Sequence, residues 1–443
     1  MLFLYNSLGG FNLKYYTIKE VAELSGKSQK TVRRYIASNV LKSEKVSNKY
    51  RIYEDSFNEW MKSLENLEKN DVSKAAIALD FNLENSAYGT NIPDKVNYID
   101  ISDIWNRDHW NNREDSNGLN FIDLFAGAGG MSLGFVMAGY TPIASVEINQ
   151  FAVQTYSHNF VDKRGFNEFI QTRDIREDVV KQELYDIVGN REIDVICGGF
   201  PCQGFSMAGN RIVTDERNSL YKEMLEIVKH IKPKFVVMEN VVGLRSMLDG
   251  KIEAQIIKDY EDAGYNVNVT VLNAADYGVP QLRKRVIFIC NRINKTNYHP
   301  QPLLQPYEYK TTRDAIEDLM DLEDKKEFNH VKTKHKGDMP ERLAAVPEGS
   351  SLYDNYSDSW KKCPWDKPSC TVKENHGAVN IHPKRPRVIT AREMARLQSF
   401  PDNFIFQGAK KWQLVQLGNA VPPLLGKAIA LSVEKSIEGH EIE

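Results

Sequence analysis

FIDLFAGAGG, at residues 121–130, constrains the fold of this chain more than any other segment. A compact apolar run stops at three glycines, Gly127, Gly129 and Gly130, and MSLGFVMAGY (131–140) continues with helical spacing. TPIASVE (141–147) is a second short apolar run. Strand, glycine turn, helix and strand make a βαβ unit, which requires a parallel sheet covered by helices. Further runs at DVICGG (194–199), KFVVMEN (234–240) and KRVIFIC (284–290), with helical patterns between them, extend that sheet. The fold class is α/β.

The glycine turn suits a ligand that approaches the main chain closely, because no Cβ atoms stand in the way. Its spacing departs from the dinucleotide GxGxxG pattern, so phosphate binding need not be assumed. Glu147 ends the second strand, where a carboxylate can accept both ribose hydroxyls of an adenosine moiety. Asp174, before the next helical stretch, is placed to take an adenine amino group.

DVICGGFPCQGFS (194–206) runs a strand into a loop at its C-terminal end, where open α/β sheets hold their ligands. Cys197, inside the strand, reads as a packing residue. Cys202 instead lies among Gly198, Gly199 and Gly204, on a turn that exposes its backbone. A cysteine thiolate can add to C6 of cytosine if another group absorbs the developing charge. Glu239, ending the run KFVVMEN, is the candidate for N3, and apolar neighbours would favour its protonated form. QLRKR (281–285) offers Gln281, Arg283 and Arg285, which alternation on a strand would point to one face, toward the carbonyl O2.

Residues 1–70 have a different texture. TIKEVAELSG reads as a short helix capped at Thr17, with Glu20 three residues on. SQKTVRRYIASNV reads as a second helix, with Val32 and Ile36 inward and Lys30, Arg33 and Arg34 available to a ligand. Lys49 and Arg51 follow in a short strand, and a closing helix ends the unit. Helix, turn, basic helix and wing is a DNA-reading arrangement. The unit holds 12 Lys/Arg against 8 Asp/Glu, while the whole chain carries −3, so the basic character is local. Residues 71–118 are polar and poorly periodic and read as a linker, with Trp105 and Trp110 as anchors against the next domain.

The 443 residues exceed one ordinary domain, and 42% apolar with 26% charged residues excludes a disordered or membrane class. No stretch is expected to span a membrane, and MLFLYNSLGG lacks the basic lead of a signal peptide, so a cytoplasmic location is expected. Five cysteines without paired spacing (Cys197, Cys202, Cys290, Cys363, Cys370) predict neither a disulfide framework nor a metal site.

Taken in order, FIDLFAGAGG, GGFPCQGFS, ENV (239–241), QLRKR, RVITAREMARLQSFPDNF (387–404) and QLGNAVPP (416–423) resemble the motifs of DNA (cytosine-5) methyltransferases of restriction–modification type. The match covers roughly residues 119–435. Residues 17–36 and 50–61 resemble the winged helix-turn-helix of the excisionase and MerR-like group. The resemblance implies a Rossmann-like sheet (119–290), a target-recognition region (291–386), a C-terminal return to the catalytic domain (387–443) and S-adenosylmethionine as cofactor. It makes Cys202 the nucleophile, Glu239 the partner of N3 and Arg285 the contact to O2. Arg283 and Gln281 would organise the catalytic loop. Pro201, Gln203, Ser206 and Arg211 would belong to that loop as it closes on the substrate. The cofactor pocket would comprise Phe121, Asp123, Gly127, Gly129, Gly130, Glu147, Ile148, Asp174, Ile175, Leu220, Asn419 and Val421. Double-stranded DNA is the implied partner, with the protein's own promoter and a functionally coupled restriction endonuclease behind it. A tRNA methyltransferase is the first rival, but that branch shows PCQPFT where this chain has PCQGFS. A regulator with a silent enzyme domain is the second, and here every catalytic position is intact.

Overall fold

In a computed structural model of the protein, the described residues are 15–25, 32–33, 36, 41–46, 49–69, 96–166, 169–201, 220–353, 360–373 and 379–439. The chain divides into two compact units, residues 1–90 and 91–443, each treated by itself.

The first unit opens with β1 (Tyr15–Tyr16) and the helix Ile18–Ser25, whose start is fixed reciprocally. The Glu20 amide donates to Thr17 Oγ1 at 3.2 Å, and the Thr17 amide donates to Glu20 Oε2 at 2.8 Å, the capping box expected from sequence. A hairpin of β2 (Ser43–Val46) and β3 (Lys49–Tyr53) follows, then the helix Glu54–Lys69. The strands are antiparallel in the order β1-β3-β2. Val21, Val32, Leu41, Ile52, Phe57 and Trp60 form a small core between helices and hairpin. The described part of this unit is thus helices packed on a three-stranded antiparallel sheet.

The second unit contains β4 (Asn97–Ile99), β5 (Asn120–Leu124), β6 (Thr141–Glu147), β7 (Phe169–Thr172), β8 (Val195–Gly198), β9 (Phe235–Val241), β10 (Asn266–Asn273), β11 (Lys284–Asn291) and β12 (Tyr298–Pro300). Seven of these make one sheet, in the order β10-β11-β9-β8-β5-β6-β7. The neighbours from β9 to β7 are parallel, while β11 runs antiparallel to both β9 and β10. Because successive strand residues face opposite ways, the sheet feeds two cores. Phe121, Val195 and Val237 enter one, and Ile122, Ile196 and Val236 enter the other. Burial on both faces explains why VICG and FVVM read as continuous apolar runs.

From β5 the chain steps outward to β6 and β7, then crosses back to β8 and β9. The reversal leaves a crevice at the C-terminal ends of β5 and β8, where sheets of this kind bind ligands. On one face the helix Gly130–Met137 meets the helix Pro423–Glu438 backbone to backbone. A Cβ on Gly134 would lie 2.5 Å from the Gly426 carbonyl carbon and from the Lys427 amide nitrogen, so the C-terminal helix can dock only on a glycine.

Two expectations need correction. Residues 97–118, read as part of a 71–118 linker, belong to the second unit. There β4 pairs in parallel with β12, and Trp110 is 2% exposed. The Trp110 indole lies edge-on to Phe160 at 5.2 Å, beneath the Arg164 guanidinium at 4.3 Å. A three-residue strand is too short to show periodicity, which hid this segment from the sequence reading. Among the described residues, Lys410–Glu438 is long and apolar enough to span a membrane by length and composition, but its most apolar part is mostly buried within the protein, as in the core of a soluble fold.

Trp110→Ala is expected to cost about 3–5 kcal/mol in a denaturant titration, the usual loss for a buried aromatic. An unchanged midpoint would mean that this segment is a detachable linker after all.

Candidate active site

The crevice begins where β5 stops. Phe125 (φ 62°), Gly127 (φ 57°) and Gly129 (φ 91°) all take left-handed backbone conformations, and the chain folds back into the helix Gly130–Met137. An added Cβ on Gly127 would meet nothing within 4 Å, so that glycine serves the turn's conformation and the open space above it. Gly130 does something else. Its missing Cβ would sit 2.2 Å from the Val421 carbonyl oxygen, so this glycine admits the C-terminal return, and it also lines the cavity described below. Gly129 is packed under the Phe160 ring, 2.6 Å from where its Cβ would be.

Glu147, at the end of β6, closes the turn. Its Oε2 accepts from the Gly127 amide at 2.9 Å and its Oε1 from the Asn149 amide at 2.7 Å. Burial pushes its pKa up, and the backbone donors oppose that rise. Each oxygen keeps acceptor capacity for a hydroxyl. Asn149 also caps the helix Gln150–Tyr156 by accepting from the Phe151 and Ala152 amides.

A cavity of about 420 Å³ runs from this turn to the ends of β8 and β9. Phe125, Gly127, Glu147, Ile148, Asn419 and Val421 line one end, and Pro201, Glu239, Asn240, Arg283 and Arg285 the other. Asp123 lies in its floor. The Asp123 carboxylate is buried and accepts from Ser132 Oγ at 2.6 Å; desolvation raises its pKa to about 7. Tyr156 links Ser132 to Ser145, so a chain of hydroxyls continues beneath the turn.

At the far end, Arg285 Nε lies 2.7 Å from Glu239 Oε1, and both side chains are 12% exposed. Glu239 is therefore not set among apolar groups alone, as the sequence suggested; it has a cation beside it. Gly199 allows this, because a Cβ there would come within 3.0 Å of Glu239 Oε2. Asn240 Nδ2 donates to the Phe200 carbonyl at 2.9 Å, fixing the strand end from which the loop departs. Pro201 is exposed at the cavity wall. Cys202, Gln203, Ser206 and Arg211 lie outside the described residues.

The QLRKR residues do not share one face. Arg285 turns to Glu239. Arg283, 1% exposed, donates from Nη1 to the Val372 carbonyl at 3.2 Å and from Nη2 to the Gly418 and Ala420 carbonyls at 3.1 and 2.9 Å. Gln281 is wholly buried; its Nε2 donates to Leu397 O and Gln398 Oε1, and its Oε1 accepts from the Val372 amide. The physical reason is that β11 starts only at Lys284, so strand alternation does not extend back to Gln281.

Several candidate cofactor residues lie outside the cavity lining. Phe121 is fully buried in mid-strand, 5.1 Å from the Phe135 ring; the aromatic at the turn is Phe125, four residues on. Ile175 and Leu220 belong to the core beneath the other sheet face. Asp174 is held by Arg176, whose Nε lies 3.0 Å from Oδ1, and that pairing lowers its pKa. Phe125, Asn149 and Asn240 were missed; Phe125 adjoins the glycines and Asn240 follows Glu239, so adjacency alone pointed to both. In the first unit, Arg33 is exposed. Arg51 lies 3.6 Å from Glu44 and over the Tyr15 ring. Lys30, Arg34 and the Lys49 side chain lie outside the described residues.

A parallel sheet with an antiparallel strand inserted near one edge, and a glycine turn opposite a strand-end glutamate at the switch point, defines a Rossmann-like methyltransferase. The family model for C-5 cytosine-specific DNA methylase matches residues 119–435, and a helix-turn-helix domain model matches residues 15–64. The chain belongs to the C-5 cytosine-specific DNA methylase family. It is 42% identical over 332 residues to the type II methyltransferase M1.HphI of Haemophilus parahaemolyticus, covering 72% of this chain and 87% of that one. Identity is 36% to the type II methyltransferase M.DdeI of Desulfomicrobium norvegicum, over 70% of this chain and 88% of that one. A DNA modification methyltransferase encoded within an E. coli prophage superposes with a TM-score of 0.59 at 27% identity, over 72% of this chain and all of that one.

Burial of Asp123 has a measurable consequence. Its folded pKa, about 7, lies above the unfolded value of 3.8, so the native state keeps a proton that the unfolded chain loses between them. This site therefore lowers stability progressively as pH rises from about 4 to 7. Asp123→Asn is expected to gain thermal stability relative to the native chain at about pH 8, with the gain shrinking toward about pH 5. A difference independent of pH would refute the assignment.

Proposed function

We propose that this protein methylates C5 of a cytosine turned out of duplex DNA at a specific sequence, with Cys202 as nucleophile and S-adenosylmethionine as methyl donor. The observation that carries this reading is a single cavity. It has the Glu239–Arg285 pair and Pro201 at one end, and Glu147 with the glycine turn at the other.

The cofactor end fits an adenosine. Glu147 would take the ribose hydroxyls with the acceptor capacity left by its two backbone donors, and Phe125 and Ile148 supply apolar surface for the base. Asn419 and Val421 complete the pocket from the C-terminal return. When bound, the sulfonium supplies an electrophilic methyl group.

At the other end, the Cys202 thiolate adds to C6 of the ring. Glu239 engages N3 and the exocyclic amine, sharing a proton with N3 so that charge leaves the ring. Arg285 holds O2, and its contact to Glu239 keeps both groups oriented before substrate enters. After transfer, loss of the C5 proton and of Cys202 restores aromaticity. The stacked duplex hides C6, so the target must leave the helix. Residues 291–386, with Lys332, Lys334, Lys336, Lys361 and Lys367, would position the backbone and read the site. Residues 1–70 would bind the protein's own promoter or DNA flanking the target, and a cognate restriction endonuclease would cut the same unmethylated site.

Incubation with S-adenosylmethionine and duplexes containing 5-fluorocytosine is expected to give a covalent adduct that Cys202→Ser abolishes. Trapping on RNA and on none of a diverse set of DNAs would sink the proposal. Arg285→Ala is expected to lower kcat by about 10²-fold or more while leaving cofactor affinity unchanged. Deleting residues 1–70 should remove promoter binding in a gel-shift assay; if binding and methylation both persist, the N-terminal unit is not a DNA reader.

A further inference from the structure

Two cysteines far apart from Cys202 in sequence lie side by side. Cys363 Sγ and Cys370 Sγ are 3.7 Å apart, although their seven-residue spacing gave no sign of pairing. Cys363 is wholly buried, whereas Cys370 is partly exposed. Asn380 Nδ2 donates to Cys370 Sγ at 3.2 Å. The Cys363 thiol beside it, then Lys361 and Asn380, favour the Cys370 thiolate; the same proximity and burial push the Cys363 thiol up. One sulfur, on a partly exposed residue, is thus held nearer its thiolate form although burial opposes this, and the other lies 3.7 Å away behind it.

We propose that Cys363 and Cys370 form a peroxide-oxidisable pair that closes to a disulfide and slows the enzyme. The Cys370 thiolate attacks a hydroperoxide oxygen, giving a sulfenic acid and releasing the alcohol, or water from hydrogen peroxide. Cys363 then attacks the Cys370 sulfur, forming the S–S bond and expelling water as its own proton leaves. Both thiols are oxidised, two electrons pass to the peroxide, and two water molecules form from hydrogen peroxide.

The effect on methylation follows from where Cys370 is threaded. Closing the sulfurs from 3.7 Å to about 2.05 Å draws the chain at Cys370 inward. Its neighbours hold the QLRKR segment. Ser369 O accepts from the Leu282 amide at 2.9 Å, Thr371 Oγ1 donates to Leu282 O at 2.8 Å, and Val372 O accepts from Arg283. Leu282 and Arg283 lead directly into Arg285. A shift there displaces the guanidinium that orients Glu239.

Peptide mass mapping of peroxide-treated protein under non-reducing conditions tests the bond. The expected product is a Cys363–Cys370 linked peptide lighter by two hydrogens and released by dithiothreitol. Activity is the second readout: oxidation should lower kcat on the order of tenfold, reversibly. Cys363→Ser should keep its basal rate and lose most of that sensitivity, which separates this pair from direct oxidation of Cys202. Absence of the linked peptide in the native chain overturns the proposal. A linked peptide with unchanged kcat overturns the coupling to catalysis. The mass measurement does not depend on the methyltransferase reading, so a failure of that reading remains distinguishable.

Discussion

A guanidinium without a carboxylate partner among the described residues governs the geometry of this protein. Arg283 is buried, and desolvation depresses its pKa, yet it donates to the carbonyls of Val372, Gly418 and Ala420. Burying a cation is costly unless its donors are met; these carbonyls meet its two Nη groups, while its buried Nε has no partner among the described residues. Three stretches distant in sequence are thereby held at one point: the entry to β11, the segment 369–372, and the return 418–421. Gln281 repeats the pattern with neutral groups, tying Leu397, Gln398 and Val372 together.

Around that fixed point the cavity is shaped by what glycine leaves out. Gly130 yields its place to the Val421 carbonyl, and Gly199 yields its place to the Glu239 carboxylate. The first contact brings the C-terminal return over the cofactor end; the second lets a strand-end acid sit against the backbone that leads to Cys202. Side chains at either position would force these contacting groups apart.

Much of this was legible from residues alone. The βαβ unit, five of the seven sheet strands and the capping box at Thr17 rest on local periodicity and capping chemistry, which act within a few residues; β7 and β10 were not read from the sequence. The position of Glu147 beside the glycine turn was legible because it ends the strand next to β5; its bond from the Gly127 amide was not. Phe121 was misplaced because a strand-borne aromatic and a turn-borne one look alike in sequence; only the left-handed backbone at Phe125 distinguishes them. In residues 97–118 the anchor Trp110 was legible, but the segment's place within the second unit was not, because its stabilisation comes from partners such as Phe160 and Arg164, far along the chain.

By itself, the sequence determined the class of fold and the family. Those features are carried by short motifs whose chemistry is local. Tertiary structure alone decided that Arg285 and not Arg283 meets Glu239. It also decided that the turn's last glycine serves packing, and that Cys363 finds Cys370. These depend on side chains meeting across loops closed by the whole core, and no pattern along a single stretch of chain encodes such a meeting.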